Sequence, residues 1–480
     1  MSANEPKMQR PPRPPSAVSV GVGMAGLAGL AIWMAFALTF DINPVRFWIA
    51  DWTGNPGWAT AGKLDGPWSS LINVLFCGVP MVLWSVCVDK VHRNPTTGID
   101  WDNPAKAWND TQDTTVTKLA GLWATWAIIA ALYCVFRFYW RGNYLFAMQL
   151  FQTAAVPLFL LSIPYVAWID TRLKQPRDGA WHFGAWLMGQ SGWDKEEIWA
   201  HFRSWAVKGF FMAFMFSIVP PNFRDVVGAD LALVQRDPIA LIHWLIGLMF
   251  VLDVAFATVG YLLTMKPLDA HIRSATPYAS GWAAALMCYP PFIMMGGGGP
   301  FDYHPATAEW TQWLADYPVL LYGMGAILVF LTGIYAWATI AFGLRFSNLT
   351  DRGILTNGPY AFTKHPAYLS KNSFWWLSTM PFLATNGSLV DMIRNSAILA
   401  MVSGIYFWRA KTEEKHLSVN QEYRDYAAWM AQYGLITRWL KWPSQSGKSE
   451  SGQAKTGAPA RTINSAVTRF TDSDQKAGEA

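Results

Sequence analysis

Ser19 to Phe40 is a run of apolar and small residues without one charge, and Ile239 to Met265 is a second such run carrying a single carboxylate, Asp253. A bilayer core of about 30 Å is crossed by about 20 helical residues, so each run is long enough to span. Over all 480 residues, 52% are hydrophobic and only 14% charged. Soluble chains carry roughly 25% charged residues, so a soluble enzyme of this length is excluded by its lack of polar surface. The chain reads as an all-α, polytopic integral membrane protein.

Further apolar segments are expected at about Trp68–Val88, Leu119–Phe138, Leu145–Trp168, Ala206–Val219, Trp282–Met295, Val319–Phe342, Pro366–Thr385 and Leu389–Phe407, which makes about ten spans. The fifth (Ala206–Val219) and seventh (Trp282–Met295) are short for a bilayer, and the seventh holds Pro290-Pro291 before Gly296 to Gly299. With the N-terminus inside, only seven of the 37 Lys and Arg residues fall on the far side: Arg46, Lys63, Arg137, Arg141, Arg224, Arg236 and Arg394. The positive-inside rule then places both termini in the cytoplasm. Short loops and the absence of sorting signals suit a bacterial inner membrane.

Four regions are expected. Residues 1–17 form a disordered, basic N-terminus, and 18–341 a membrane domain of about eight spans. Within it, 170–205, punctuated by five Trp, is expected to lie along the interface as amphipathic helix. Residues 342–442 form a C-terminal membrane domain, and 443–480, rich in Ser, Gly, Lys, Ala and Thr, a disordered tail. The formal charge of +5 is mild and unclustered, which argues against nucleic acid as a partner, and no obligate protein partner is evident. The four cysteines lie in apolar blocks without metal-ligand spacing.

Two polar motifs sit at membrane boundaries. In the first, Gly358-Pro359 forces a turn, and Pro366 suits the first turn of a helix because its missing N–H has no partner there. His365 then stands at a helix start with Tyr368 and Asn372 on one face, beside free amide donors and partial positive charge. In the second, Arg409 and Glu413 are four apart and share a helical face, with Glu414 and His416 following. By the topology above, both meet on the cytoplasmic side.

Gly358-Pro-Tyr-Ala-Phe-Thr-Lys-His-Pro-Ala-Tyr368, a hydrophobic hairpin, and Arg409-x-x-x-Glu413-Glu414 with Tyr423 and Tyr426 downstream resemble the isoprenylcysteine carboxyl methyltransferase family. The resemblance, which extends to membrane phospholipid and thiol methyltransferases, covers roughly Phe342 to Pro443. It implies an S-adenosylmethionine pocket open to the cytosol and a lipophilic small-molecule acceptor, or a membrane lipid, arriving from the bilayer. Carried over by position, Gly358, Pro359, Tyr360, His365, Pro366, Ala367, Tyr368 and Glu413 would bind the cofactor, and Arg409 would face the acceptor. Arg409 would orient a carboxylate; for an amine or thiol, Glu414 or His416 would take the proton. The chain departs from the family at Lys364, where Arg is common, and at Ser370-Lys371-Asn372, where a Gly is usual.

Asp253 lies mid-span with His243 ten residues before it, too far along a helix for direct contact. An intramembrane carboxylate is costly unless paired or wet, so Asp253 either bonds a neighbouring span or lines an acceptor cavity. Two other functions stay open: an intramembrane sterol or isoprenoid reductase using NADPH, and a non-enzymatic transport or binding protein working through Asp253 and His243.

Overall fold

The computed structural model describes residues 11–40, 45–59 and 62–435. Fifteen α-helices follow in order: α1 (Val20–Phe40), α2 (Val45–Thr53), α3 (Pro67–Leu83), α4 (Trp108–Val135), α5 (Tyr144–Arg172), α6 (Gly179–Leu187), α7 (Lys195–Val227) and α8 (Leu231–Arg236). Then come α9 (Pro238–Leu262), α10 (Ala279–Leu286), α11 (Trp310–Trp313), α12 (Pro318–Ala341), α13 (Pro366–Thr379), α14 (Leu389–Leu417) and α15 (Gln421–Tyr433). Two short strands, β1 (Ser274–Ala275) and β2 (Thr350–Asp351), pair antiparallel.

Eight of the helices, α1, α3 with its continuation to Val88, α4, α5, α7, α9, α12 and α14, are long and apolar enough to cross a membrane. Their starts are locally specified. Asp194 accepts from the amides of Glu196 and Glu197 ahead of α7, and Asp237 caps α9 with Pro238 at its first position. Large apolar side chains such as Val135, Leu160, Phe330 and Ile393 remain exposed, as a lipid-facing surface requires. Inside, Leu30, Met81, Phe223 and Phe256 join α1, α3, α7 and α9 in one buried cluster.

Small residues set how closely the helices approach, because in lipid association rests on packing rather than exclusion from water. A methyl group at Gly184 of α6 would stand 1.9 Å from the Thr117 carbonyl of α4, and one at Gly121 would stand 2.0 Å from the Ala180 carbonyl. Backbones therefore touch at this crossing. Lys118 bridges it by pairing with the fully buried Asp170 of α5 and, at 3.2 Å, with Asp178 ahead of α6. The stretch 170–205 comprises the end of α5, the short α6 and the start of α7, with Asp170 and Asp178 both held by Lys118.

Two expected spans are not long apolar helices. The seventh contains only the eight-residue α10, ending before the turns around Pro290, and the ninth only the 14-residue α13, which stops at Met380 in left-handed conformation. At 1.5 Å per residue, α13 is about 21 Å long and α10 about 12 Å. The fifth, by contrast, lies inside the 33-residue α7.

Helices α9 and α12 run parallel: Ile242 packs on Gly325, and further along both helices Asp253 bonds Thr339. The β1–β2 pair ties together the segments that leave them. At the opposite end, the Trp310 ring lies tilted beside His243, and the amide of Thr385 donates to the Ala306 carbonyl. Both 276–310 and 366–385 therefore run from one end of the bundle to the other, partly as irregular chain.

Residues 11–17, expected within the disordered N-terminus, are fixed. The Ala17 amide donates to the Ile354 carbonyl, Thr356 donates to the Pro14 carbonyl, and Trp429 donates to that of Pro11. Those contacts join both ends of the described chain to the first motif. The expected tail, 443–480, lies outside the described residues.

Candidate functional site

Gly358 adopts φ +56 at the turn the first motif predicts, and the turn continues to Ala361. The side chain of Asn357, just before it, donates to the Val18 carbonyl. His365 flanks Pro366 at the start of α13 without capping it, so the first amides of the helix keep no side-chain partner. Helices α13 and α14 form an antiparallel hairpin, closed at its far end by the Trp376 indole on Ser403 at 3.1 Å. At its near end the Tyr368 hydroxyl donates to Glu413, and His365 Nε2 lies 3.0 Å from Glu414 Oε1.

Above this hairpin opens a cleft of about 1360 Å³ free of protein atoms, its mouth included. Tyr360, His365, Ala367, Tyr368, Arg409, Glu413 and His416 line it. The two motifs thus converge on one space. Pro359 and Pro366 are buried behind the wall, and Gly358 lines a separate apolar groove between α1, α9 and α12. Asp253 lies one residue behind the wall, bonded to the cleft-lining Thr339. His243, at the far end against Trp310, is not brought to it.

Arg409 is 3% exposed, and its guanidinium lies 5.2 Å from the Tyr368 ring, 5.3 Å from Tyr406 and 5.5 Å from Tyr289. One Nη donates to Asn348 at 3.1 Å, while Nε has no partner. The buried Tyr423 hydroxyl also has none. Burial raises the phenols of Tyr360, Tyr423 and Tyr426 above their ordinary range, so they stay neutral. A cleft lined by unpartnered buried donors is built to receive acceptor atoms from a ligand.

Glu414, expected as a base for an amine or thiol, is placed otherwise. Its carboxylate is held by Lys364 at 2.5 Å, His365 at 3.0 Å and Lys411 at 3.0 Å, outside the cleft lining. A carboxylate already shared by three donors has little basicity left to offer. His416 lines the cleft, with Nε2 3.0 Å from Ser274 Oγ on β1.

The motifs alone did not reveal the rest of the wall. Tyr289, Tyr335, Thr339, Asn348 and Lys371 all line the cleft, drawn from segments with no recognisable pattern. Arg345 and Arg352 do as well, but both are committed. Arg345 pairs with Asp269 at 2.8 Å, and Arg352 donates to the carbonyls of Gly260, Leu263, Ala270, Leu344 and Phe346. A charged residue within an apolar segment, as Lys371 is, was the one available signal.

The fold and cleft define a helical membrane protein with a polar, aromatic-walled cavity at one end of the bundle. No family model matches the chain, and neither a curated protein nor a solved structure matches it.

Proposed function

We propose that the protein is an integral membrane methyltransferase that moves a methyl group from S-adenosylmethionine to a lipophilic or membrane-partitioned acceptor. The observation that carries this reading is the convergence of both motifs on one cleft, joined by the Tyr368 hydroxyl on Glu413. The donor set suits the cofactor: Glu413 for ribose hydroxyls or an ammonium, Tyr423 and the free amides of α13 for acceptor atoms, and tyrosine rings for adenine or a cation. When bound, S-adenosylmethionine supplies an electrophilic methyl group on a sulfonium. Tyr289, Tyr368 and Tyr406 hold Arg409 against the cleft, where it orients the acceptor. Orientation and desolvation of the two reactants in the cleft are the chief contributions to rate.

The same reading takes the protein as crossing a bacterial inner membrane ten times, with both termini and the cleft mouth cytoplasmic. Eight crossings are the long helices; the other two are 276–310 and 366–385, whose ends are tied to opposite ends of the bundle. Irregular backbone at membrane depth is tolerated where it lines a cavity, as at Tyr289, while Tyr368 and Lys371 reach the cavity from the helical part of 366–385.

A reductase using NADPH fits less well, because nucleotide phosphates want several free guanidinium groups. Of the three arginines in the wall, only Arg409 is uncommitted to carboxylate or multiple carbonyls. A transport or binding function through Asp253 predicts that D253N abolishes function while E413Q has little effect.

Calorimetric titration of purified protein with S-adenosylmethionine, S-adenosylhomocysteine and NADPH tests the reading, with the H365A/E413Q double variant as control. Saturable binding of the two adenosyl ligands, lost in the double variant, is the expected result. Binding of NADPH alone, or of none by folded protein, overturns it.

A further inference from the structure

The strap formed by residues 11–18 braces the cleft from outside. Pro11, Pro12, Pro14 and Pro15 have no N–H to offer and hold this stretch extended, so its carbonyls stay free to accept from elsewhere. Three of them do. The Trp429 indole of α15 donates to the Pro11 carbonyl at 3.1 Å, the Thr356 hydroxyl to that of Pro14 at 2.7 Å, and the Asn357 side chain to that of Val18 at 2.8 Å. In return the Ala17 amide donates to the Ile354 carbonyl at 2.9 Å, and Ser16 Oγ accepts from the Thr356 amide at 3.3 Å.

These partners belong to two separate stretches of the cleft wall. Ile354 and Leu355 of the loop before the first motif line the cleft, and so do Tyr423 and Tyr426 of α15. The two stretches meet directly where Ile354 packs with Tyr423, Tyr426 and Trp429, and where the Tyr426 hydroxyl donates to the Tyr360 carbonyl at 2.7 Å. Helix α15 has only 13 residues and buries one face, so its place on the cleft depends on what it packs against. The strap crosses that seam and adds a second attachment on each side of it. Its own far end is fixed, because Val18 and Val22 at the start of α1 are part of the buried core. Proline restricts the strap before it docks, so docking orders little that was free. Pro11 is exposed at its surface, so its carbonyl can turn to water when the strap lifts.

We propose that residues 11–17 are a latch that holds α15 and the loop before the first motif together as the closed wall of the cleft, with Thr356 and Trp429 the positioning residues through which it acts. Releasing the latch lets α15 move off Ile354 and Tyr360 and opens the cleft between them. The latch itself does not depend on what the cleft binds. That it sets how long S-adenosylmethionine stays bound rests on the methyltransferase reading.

The test follows amide hydrogen exchange in the full-length protein, together with the rate at which S-adenosylmethionine dissociates, for the wild type, T356V, W429F and the double variant. T356V removes the hydroxyl on Pro14, and W429F removes the indole N–H on Pro11. With both hydrogen bonds gone, exchange over 353–358 and over 421–433 should rise at least about fivefold, and less in each single variant. Exchange over 389–410 of α14 should stay as in the wild type. T356S, which keeps the hydroxyl, should keep the wild-type exchange at both stretches. S-adenosylmethionine should leave the double variant faster by a similar factor. Unchanged exchange in the folded double variant, a rise confined to one of the two stretches, or an equal rise along α14 would overturn the latch. If both stretches open but bound S-adenosylmethionine leaves at the wild-type rate, the latch does not set cofactor residence. If they open and S-adenosylmethionine binds neither protein, the latch stands and the methyltransferase reading fails.

Discussion

His365 Nε2 lies 3.0 Å from Glu414 Oε1, joining the start of α13 to the end of α14 across the mouth of the hairpin. Lys364 and Lys411 reach the same carboxylate, so Glu414 gathers two donors from the segment just before α13 and one from α14. Its geometry is that of a clamp holding Tyr368 against Glu413. E414Q should lower stability by about 1 kcal/mol, since these groups are partly exposed and screened. It should also weaken S-adenosylmethionine binding a few-fold and leave the rate at saturating cofactor nearly unchanged. A large loss of that rate with unchanged cofactor affinity would instead assign Glu414 to the chemistry.

Tyr368 is the residue through which the two motifs touch, because its hydroxyl donates to Glu413 while its ring packs on Arg409. Y368F removes the first contact and keeps the second. A hydrogen bond to a charged group is worth about 1.5–3 kcal/mol. S-adenosylmethionine affinity should therefore fall by about tenfold or more. Calorimetry reads the change, and an unchanged cofactor affinity would mean that Glu413 does not need this donor to face the cofactor.

The long helices were legible because lipid imposes a length and a composition together, as in α1 and α9. The short ones were not. A run of apolar residues looks the same whether it faces lipid or lines a cavity, so 282–295 and 366–385 read as full helices although α10 and α13 stop early. The spacing of His365, Tyr368, Arg409 and Glu413 carried the site because i to i+4 relations on a helix survive folding. Tyr289, Asn348 and Thr339 reach the cleft through tertiary packing alone, and no local pattern marks them. Glu414 shows the limit of reading a motif residue by residue. Its neighbours Lys364 and Lys411 were visible as charges, but only the fold brings them to one carboxylate.

The loop between α9 and β1 gives the fold a pH dependence. Burial, reinforced by Lys266, lowers the imidazole of His271 from 6.5 to about 4, with Asp269 acting in the opposite direction. The folded protein therefore keeps His271 neutral where the unfolded chain protonates it. Its contribution is complete above about pH 6.5 and is lost as pH falls toward 4, by up to about 3 kcal/mol at 1.36 kcal/mol per unit. Unfolding followed across this range should show the decline, and H271Q should flatten it. An identical slope in the variant would place the acid sensitivity elsewhere.

Arg352 makes the strongest demand on the loop that carries the first motif. Its guanidinium, 3% exposed, gathers the carbonyls of Gly260 and Leu263 at the end of α9, of Ala270, and of Leu344 and Phe346 after α12. A cation at a helix C-terminus interacts favourably with the helix dipole, and the carbonyl oxygens of Gly260, Ala270 and Leu344 would otherwise be buried without this donor. R352M removes every donor. Each orphaned carbonyl costs about 1–3 kcal/mol before relaxation, so the net loss should be at least about 3 kcal/mol. R352K should recover only part of it, because an ammonium offers three donors without the planar fork. Thermal unfolding in detergent should rank wild type above R352K above R352M, and proteolysis should open the 342–358 loop first in both variants. If R352K matched the wild type, simple charge at the end of α9 would suffice, and the geometry of the guanidinium would not be what holds the motif loop in place.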